Sequence, residues 1–235
     1  MSSSERGDDT EMDRRYRAEV AAALATLGYS AVLNRLLPDV AHVPANVTAA
    51  GISTMVAKAA GVPLDDLGLA PGRFADGLQV GASVAGPTAA AIAIAAAAPA
   101  TRRFFRDARV LGVERPAYEI GLRIPIGTAL SEELIFRGAL LGLFRMNHST
   151  PVAIAMSSAL FGIWHVLPTL ESPQTEAALG AVLTAVAVTA AAGCALGWMR
   201  VRTGSIAAPV LVHAAVNVSA FAAVRFIGRR DRRAR

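Results

Sequence analysis

Charge is scarce in this chain, and so are cysteine and lysine. Asp, Glu, Lys and Arg together make up 17% of the 235 residues, against about 25% in ordinary soluble domains. The scarcity is uneven: residues 40–57, 77–101, 146–170, 177–199 and 203–224 hold no charged side chain. A helix needs about 20 apolar residues to cross a hydrocarbon layer roughly 30 Å thick, and these windows match that length. Their number, in so small a chain, excludes a water-soluble globule. It also excludes a transmembrane β-barrel, which would show alternating segments of about ten residues. The single cysteine, Cys194, excludes an internal disulfide and a cysteine-rich metal cluster. In its alanine-rich surroundings it is expected to be a small buried hydrophobe.

What charge there is leans basic. The net charge is +5, and among the 23 basic residues only Lys58 is a lysine. In so apolar a chain this points to membrane topology and anionic lipid head groups rather than to nucleic acid. The arginines cluster at the ends of apolar windows: Arg102, Arg103, Arg106, Arg109 and Arg115 in one loop, and Arg229, Arg230, Arg232, Arg233 and Arg235 in the tail. No basic-aromatic interleaving of the single-strand-binding kind occurs. A cleavable signal peptide is not expected, because both signs of charge mix in the first 17 residues and no clear small-residue cleavage site follows Val20–Leu33.

The organisation follows. Residues 1–15 are polar and expected to lack order. The stretch 18–37 is apolar but carries Glu19, Asn34 and Arg35, so it is either a span or an interfacial helix. Spans are expected at 43–61, 77–100, 150–168, 177–199 and 206–227, with loop punctuation at 61–72. The helix at about 117–145 is the exception, because three ionisable residues sit at its centre. The expected fold is an all-α integral membrane protein, a bundle of about seven (six to eight) transmembrane helices around a buried polar active-site cavity. In regions, this is a polar N-terminus at 1–15, N-terminal helices with the basic loop at 16–115, a helical core at 116–227 and a basic tail at 228–235. The basic loop and tail fall on one side of the membrane if four spans separate them. The loop at 169–176, holding Glu171 and Glu176, would share that side. Small-xxx-small pairs, Gly138/Gly142 and Gly193/Gly197, are expected to be helix-packing notches.

Three constellations carry chemistry. Glu132, Glu133 and Arg137 lie mid-helix, where each charge costs about 2.5–3.5 kcal/mol on insertion scales. Glu133 and Arg137 are spaced to pair across one helical turn, which leaves Glu132, about 100° around the helix, as the free carboxylate. A buried ion-pair network holding helices together explains this cluster as well as catalysis does. Phe161 and His165 share a face of the next span, and a core histidine bonded to a backbone carbonyl or a serine explains His165 taken singly. His213 and Asn217 share a face of the last span, where interhelical hydrogen bonding is the plain reading of Asn217. His42 and His148 read as interfacial residues. Jointly, however, three helices supply a carboxylate, two imidazoles and an amide. Hydrolysis of a peptide bond needs that inventory: a base for water, an acid for the leaving amine, and donors for the oxyanion. No His-Glu-x-x-His, Gly-x-Ser-x-Gly, Gly-x-Gly-Asp, P-loop or dinucleotide motif is present.

Glu-Glu-x-x-x-Arg at 132–137, Phe-x-x-x-His at 161–165 and His-x-x-x-Asn at 213–217 occur in an order that resembles the CAAX prenyl endopeptidase and bacteriocin-processing (CPBP) membrane proteases. The resemblance covers about 116–225, with no motif missing, and is loose over the N-terminal half. It implies Glu132 as the base that activates water, His165 as an aid to its orientation, His213 and Asn217 as oxyanion donors, and Glu133 and Arg137 as a supporting pair, with Phe161 beside His165. No cofactor is required by this reading. Zinc is the alternative, held by Glu132, His165 and His213, since the family has been described both as metalloproteases and as metal-free glutamate proteases.

The expected function is an intramembrane endopeptidase acting on membrane-associated peptides or proteins. The alternatives are a catalytically silent scaffold or bacteriocin immunity protein, and a small proton-linked transporter with Glu132 as its proton site. The expected partners are a peptide or membrane-protein substrate and the lipid bilayer, with no nucleic acid; the oligomeric state is not readable. Arg- and Ala-rich usage points to a GC-rich genome and a multi-pass protein of a bacterial plasma membrane.

Overall fold

The structure, a computed structural model, describes residues 3–170 and 178–233. Glu171 and Glu176 of the expected acidic loop lie outside the described residues. Among the described residues the fold is helical, with one isolated antiparallel bridge between Leu69 and Ser205. Four helices are long and apolar enough to cross a membrane: Pro71–Ala97, Thr150–Leu170, Leu179–Thr203 and Ala207–Asp231. The chain is therefore an all-α membrane protein.

In chain order the helices are α1 (Ser3–Leu36), α2 (Asp39–Ala59), the single turn α3 (Leu64–Leu67), α4 (Phe74–Ala97) and the short α5 (Ala108–Gly112). A composite α6 (116–147) follows, then α7 (Thr150–Trp164), the short α8 (Val166–Leu170), α9 (Ala178–Thr203) and α10 (Ala207–Arg233). The most extensive pairings are α4 on α10 and α7 on α9, while α6 lies between α2 and α10. Gly193 and Gly197 of α9 face Ser158 and Ile154 of α7, and a Cβ on either would press within 3.0–3.2 Å of them. The small-residue notch thus packs helices, as its spacing predicts.

The polar N-terminal segment is not set apart from the first helix. From Ser3 onward it continues the turns of α1, since an established helix adds residues at little cost once its nucleus exists. Buried Glu19 accepts a hydrogen bond from Asn147 Nδ2 at 2.8 Å and pairs with His148 Nε2 at 2.8 Å. Eleven residues on, Ser30 Oγ donates to the carbonyl of Trp164. These contacts lie at opposite ends of α7, so α1 runs lengthwise along it. His148 is therefore an anchor for α1 rather than a plain interfacial residue.

Cys194 is exposed, not buried. In a membrane protein an apolar side chain faces lipid at no hydrophobic cost, so apolarity does not assign it to the interior.

The basic loop and the end of α10 sit together. Arg102 and Arg106 both bridge to Asp231, and Arg225 Nη1 donates to the carbonyls of Val110 and Val113 at 2.9 and 2.8 Å. Both arginine clusters thus mark one end of the bundle. At the opposite end, residues 61–72 close over the turn between α9 and α10. Gly68 ends α3 with φ of 74°, and its carbonyl accepts from Ile206 N at 2.9 Å. Buried Arg200 reaches under it and donates through Nη2 to the carbonyl of Asp65 at 2.9 Å.

A Cβ on Gly68 would lie 2.9 Å from both Arg200 Nε and Ile206 N, in a conformation that costs an L-residue about 1–2 kcal/mol before any clash. Gly68→Ala is therefore expected to lower the thermal unfolding midpoint in detergent by several degrees. Gly72→Ala, with open space around it, should leave the midpoint unchanged.

Candidate active site

The site is built on α6. Its hydrogen bonding widens from i−4 to i−5 over Glu119–Leu130 and again over Leu134–Leu140, with one α-helical turn, Ser131–Glu133, between. Pro125 lies inside the first wide stretch; it has no N–H to give and its ring crowds the carbonyl four residues back. Wide turns of this kind are rare and frequent at functional sites. Backbone carbonyls shifted out of register must find donors in an apolar medium, where each unsatisfied group costs several kcal/mol. Two neighbours provide them. Asn46 Nδ2 of α2 donates to Gly127 O at 2.8 Å, held by Tyr29 Oη of α1, which donates to its Oδ1 at 2.6 Å. Ser157 Oγ of α7 donates to Phe136 O at 2.7 Å. The sequence reading did not single out these residues, although Asn46 and Ser157 are polar interruptions in charge-free windows.

Glu132 and Glu133 emerge from the turn between the wide stretches, and both are buried. Glu133 is fully enclosed and Arg137 is 1% exposed, and Arg137 Nη1 donates to Glu133 Oε1 at 2.9 Å. The pairing expected from their spacing is present. The Arg137 guanidinium also lies over the Phe161 ring, 4.1 Å from its centroid, so an aromatic face shares the charge.

Phe161 is the hub of the aromatic packing. Its ring meets Phe136 at 5.0 Å, His165 at 4.7 Å and His213 at 5.9 Å, each edge to face. His165 closes α7, and its Nδ1 lies 2.7 Å from Phe161 O. A carbonyl only accepts, so Nδ1 carries the proton, and in the neutral ring Nε2 holds the lone pair.

His213 reaches across from α10. Its Nδ1 lies 2.8 Å from Glu133 Oε1, the oxygen that also takes the Arg137 bond. Its Nε2 stands 3.8 Å from Glu132 Oε2. The imidazole beside both carboxylates is therefore His213. Among the described residues no hydrogen bond or ion pair joins His165 to Glu132, and the two connect only through Phe161 and His213. Glu132 Oε2, Glu133 Oε2 and Arg137 Nη2 are buried and bond to no protein group among those described.

Asn217, one turn beyond His213, is half-buried and faces a cavity of about 800 Å³ at the basic end of the bundle. Glu119 and Arg123, paired at 2.9 Å, line the same cavity. Of the residues expected to catalyse, Asn217 alone lines it. The carboxylates and His213 are buried, while His165 is half-buried and does not line this cavity. Among the described residues no three His, Cys, Asp or Glu side chains are grouped to hold a metal ion. Glu132, His165 and His213 thus do not present a ready ligand set for zinc.

Helices apolar enough to cross a bilayer, with a carboxylate–imidazole–guanidinium cluster buried between them, define the class: a membrane protein with an ionisable site inside its helical bundle. Residues 117–219 match the family model described as Rce1-like: Type II CAAX prenyl endopeptidase Rce1-like. That match, over the segment that carries the buried cluster, supports a CPBP-family intramembrane protease of the CAAX endopeptidase type. No curated protein and no solved structure matches the chain.

Removing one partner of a buried ion pair leaves an uncompensated charge, at a cost of about 3–5 kcal/mol. Arg137→Met is expected to destabilise the detergent-solubilised protein by that order. The double variant Glu133→Gln/Arg137→Met should recover part of the loss, measured as midpoints of denaturant unfolding.

Proposed function

We propose that the chain is a multi-pass endopeptidase of a bacterial plasma membrane that hydrolyses peptide bonds of membrane-associated peptides or proteins near the basic, cytoplasmic end of its bundle. Seven helices, α1, α2, α4, α6, α7, α9 and α10, form the bundle in this reading. The observation that carries it is the approach of Glu132 Oε2 to His213 Nε2 at 3.8 Å from two different helices, within the segment that matches a protease family.

In the proposed mechanism Glu132 takes a proton from a water held at its inner oxygen, and the water oxygen forms a bond to the scissile carbonyl carbon. His213, protonated at both nitrogens, gives Nδ1–H to Glu133 and presents Nε2–H to the developing oxyanion. Arg137 balances the charge of Glu133, so that carboxylate can hold the imidazolium without taking its proton. Asn217 adds an amide N–H from the cavity side. When the intermediate collapses the C–N bond breaks, and Glu132 returns the proton to the leaving amine. His165 orients the site through the edge of Phe161, with Nε2 as an acceptor towards water or substrate. The cavity at Asn217 admits the peptide. The chemistry needs no metal in this scheme.

The test is cleavage of a library of internally quenched peptides, with and without a lipid anchor, by the protein in proteoliposomes. Wild type should cleave members of the library, and Glu132→Gln should abolish turnover while leaving the unfolding midpoint in place. Asn217→Ala should cost about 10²–10³ in kcat, the usual effect of removing one oxyanion donor, and an excess of a zinc chelator should change nothing. Turnover that survives Glu132→Gln, or that the chelator abolishes and zinc restores, would overturn the mechanism. Proton-coupled uptake without cleavage of any member would overturn the protease reading.

A further inference from the structure

A second cavity, of about 380 Å³, lies between the C-terminal ends of α4 and α10, on a side where Ala97, Ala222 and Phe226 are exposed. Its walls are side chains of the smallest kind, including Ala89 and Ala93 of α4 and Ala223 of α10, with Phe226 along one edge. Arg102, from the basic loop, and Arg230, from the last turns of α10, stand at its mouth. Along α10 the lining runs from Ser219 to Arg230, which at 1.5 Å per residue is roughly 16 Å. That is about half of a hydrocarbon core roughly 30 Å thick, so the groove extends from the arginines about as far as one leaflet.

Among the described residues the charges at the mouth are only partly balanced. Asp231 is bridged by both Arg102 and Arg106, which leaves one carboxylate to three arginines when Arg230 is included. Arg102 uses Nη2 for Asp231, while its Nε is buried and meets no protein acceptor. Arg230 is exposed. A guanidinium suits a phosphate, because its forked donors match the oxygens two at a time. An alanine-walled slot beneath such a pair suits an alkyl chain. Phe226 is 68% exposed and would lie along that chain.

We propose that this groove is a binding site for one anionic phospholipid, with the phosphate held by Arg102 and Arg230 and an acyl chain laid between α4 and α10. The lipid covers the wall formed by Ala89, Ala93 and Ala223 and ties the basic loop to the end of α10 from outside, where Asp231 ties it from within. The site belongs to the outer face of the α4–α10 pair and shares no residue with the catalytic cluster.

The experiment is native mass spectrometry of the full chain released from nanodiscs of mixed phosphatidylglycerol and phosphatidylcholine. Wild type should retain one phosphatidylglycerol at collision energies that strip phosphatidylcholine. Arg230→Gln, which breaks no hydrogen bond or ion pair among the described residues, should reduce that retained fraction about tenfold. Ala223→Leu, which fills the groove and leaves both arginines, should reduce it comparably. Inorganic phosphate at millimolar concentration should not displace the lipid, since phosphate has no chain to bury. Equal retention of the two lipids by wild type, or retention unchanged in both variants, would overturn the proposal. Displacement by phosphate alone would also overturn it and show a simple anion site.

Discussion

The Glu133 carboxylate and the Arg137 guanidinium, one turn apart on α6 and shielded from solvent, are the contact on which the rest of the centre depends. Inside a membrane protein neither charge is tolerable without the other, so the pair dictates what must surround it. Phe161 has to present a ring face to Arg137, which sets where α7 crosses α6. His213 has to meet the same carboxylate oxygen, which sets where α10 lies against α6. Three helices are thereby brought into register by one ion pair, and Glu132, next in sequence but not part of the pair, is held at the junction with its inner oxygen free. An ion pair that holds helices together and the proposed hydrolytic centre, which the sequence leaves as competing explanations of the same residues, are compatible within one arrangement.

The backbone of α6 is adapted to that task. A regular helix through Pro125 would kink or lose a hydrogen bond, and a kink ahead of Glu132 would move the carboxylates away from His213. The two widened stretches absorb the irregularity instead. Carbonyls left out of the regular ladder are then caught by Asn46 and Ser157, which belong to α2 and α7. Helix α6 is thus supported from both sides by hydrogen bonds that do not involve Glu132, Glu133 or Arg137.

What the sequence shows follows from how local each feature is. The pairing of Glu133 with Arg137 and the edge-to-face contact of Phe161 with His165 are set by four-residue spacing on one helix, and the shared face of each pair is legible before any tertiary structure is known. The stretches without charge mark most of the long helices for the same reason. The partner of His213 is not legible, because it lies on a helix eighty positions away and depends on how α6 and α10 pack. The widened hydrogen bonding of α6 is equally hidden, since its residues have ordinary helical composition apart from Pro125 and its glycines. Cys194 shows the limit in the other direction: apolarity marks burial in a soluble protein, but beside lipid it says only that a residue avoids water.

Charge placement connects the catalytic centre to the membrane. Arginines at the basic end bind within the protein where an acceptor is present, as Arg225 does with the carbonyls of Val110 and Val113, and Arg102 with Asp231. These contacts pin the basic loop to α10 about two to four turns past Asn217. The loop also contributes Asp107 and Arg109, themselves paired, to the wall of the cavity that Asn217 faces. A displacement of the loop from α10 would therefore reshape the approach to Asn217 without touching Glu132, Glu133 or His213. The Glu133–Arg137 pair is buried where solvent and salt do not reach it, whereas the loop that walls the cavity at Asn217 is held by partly exposed charges, which both can modulate.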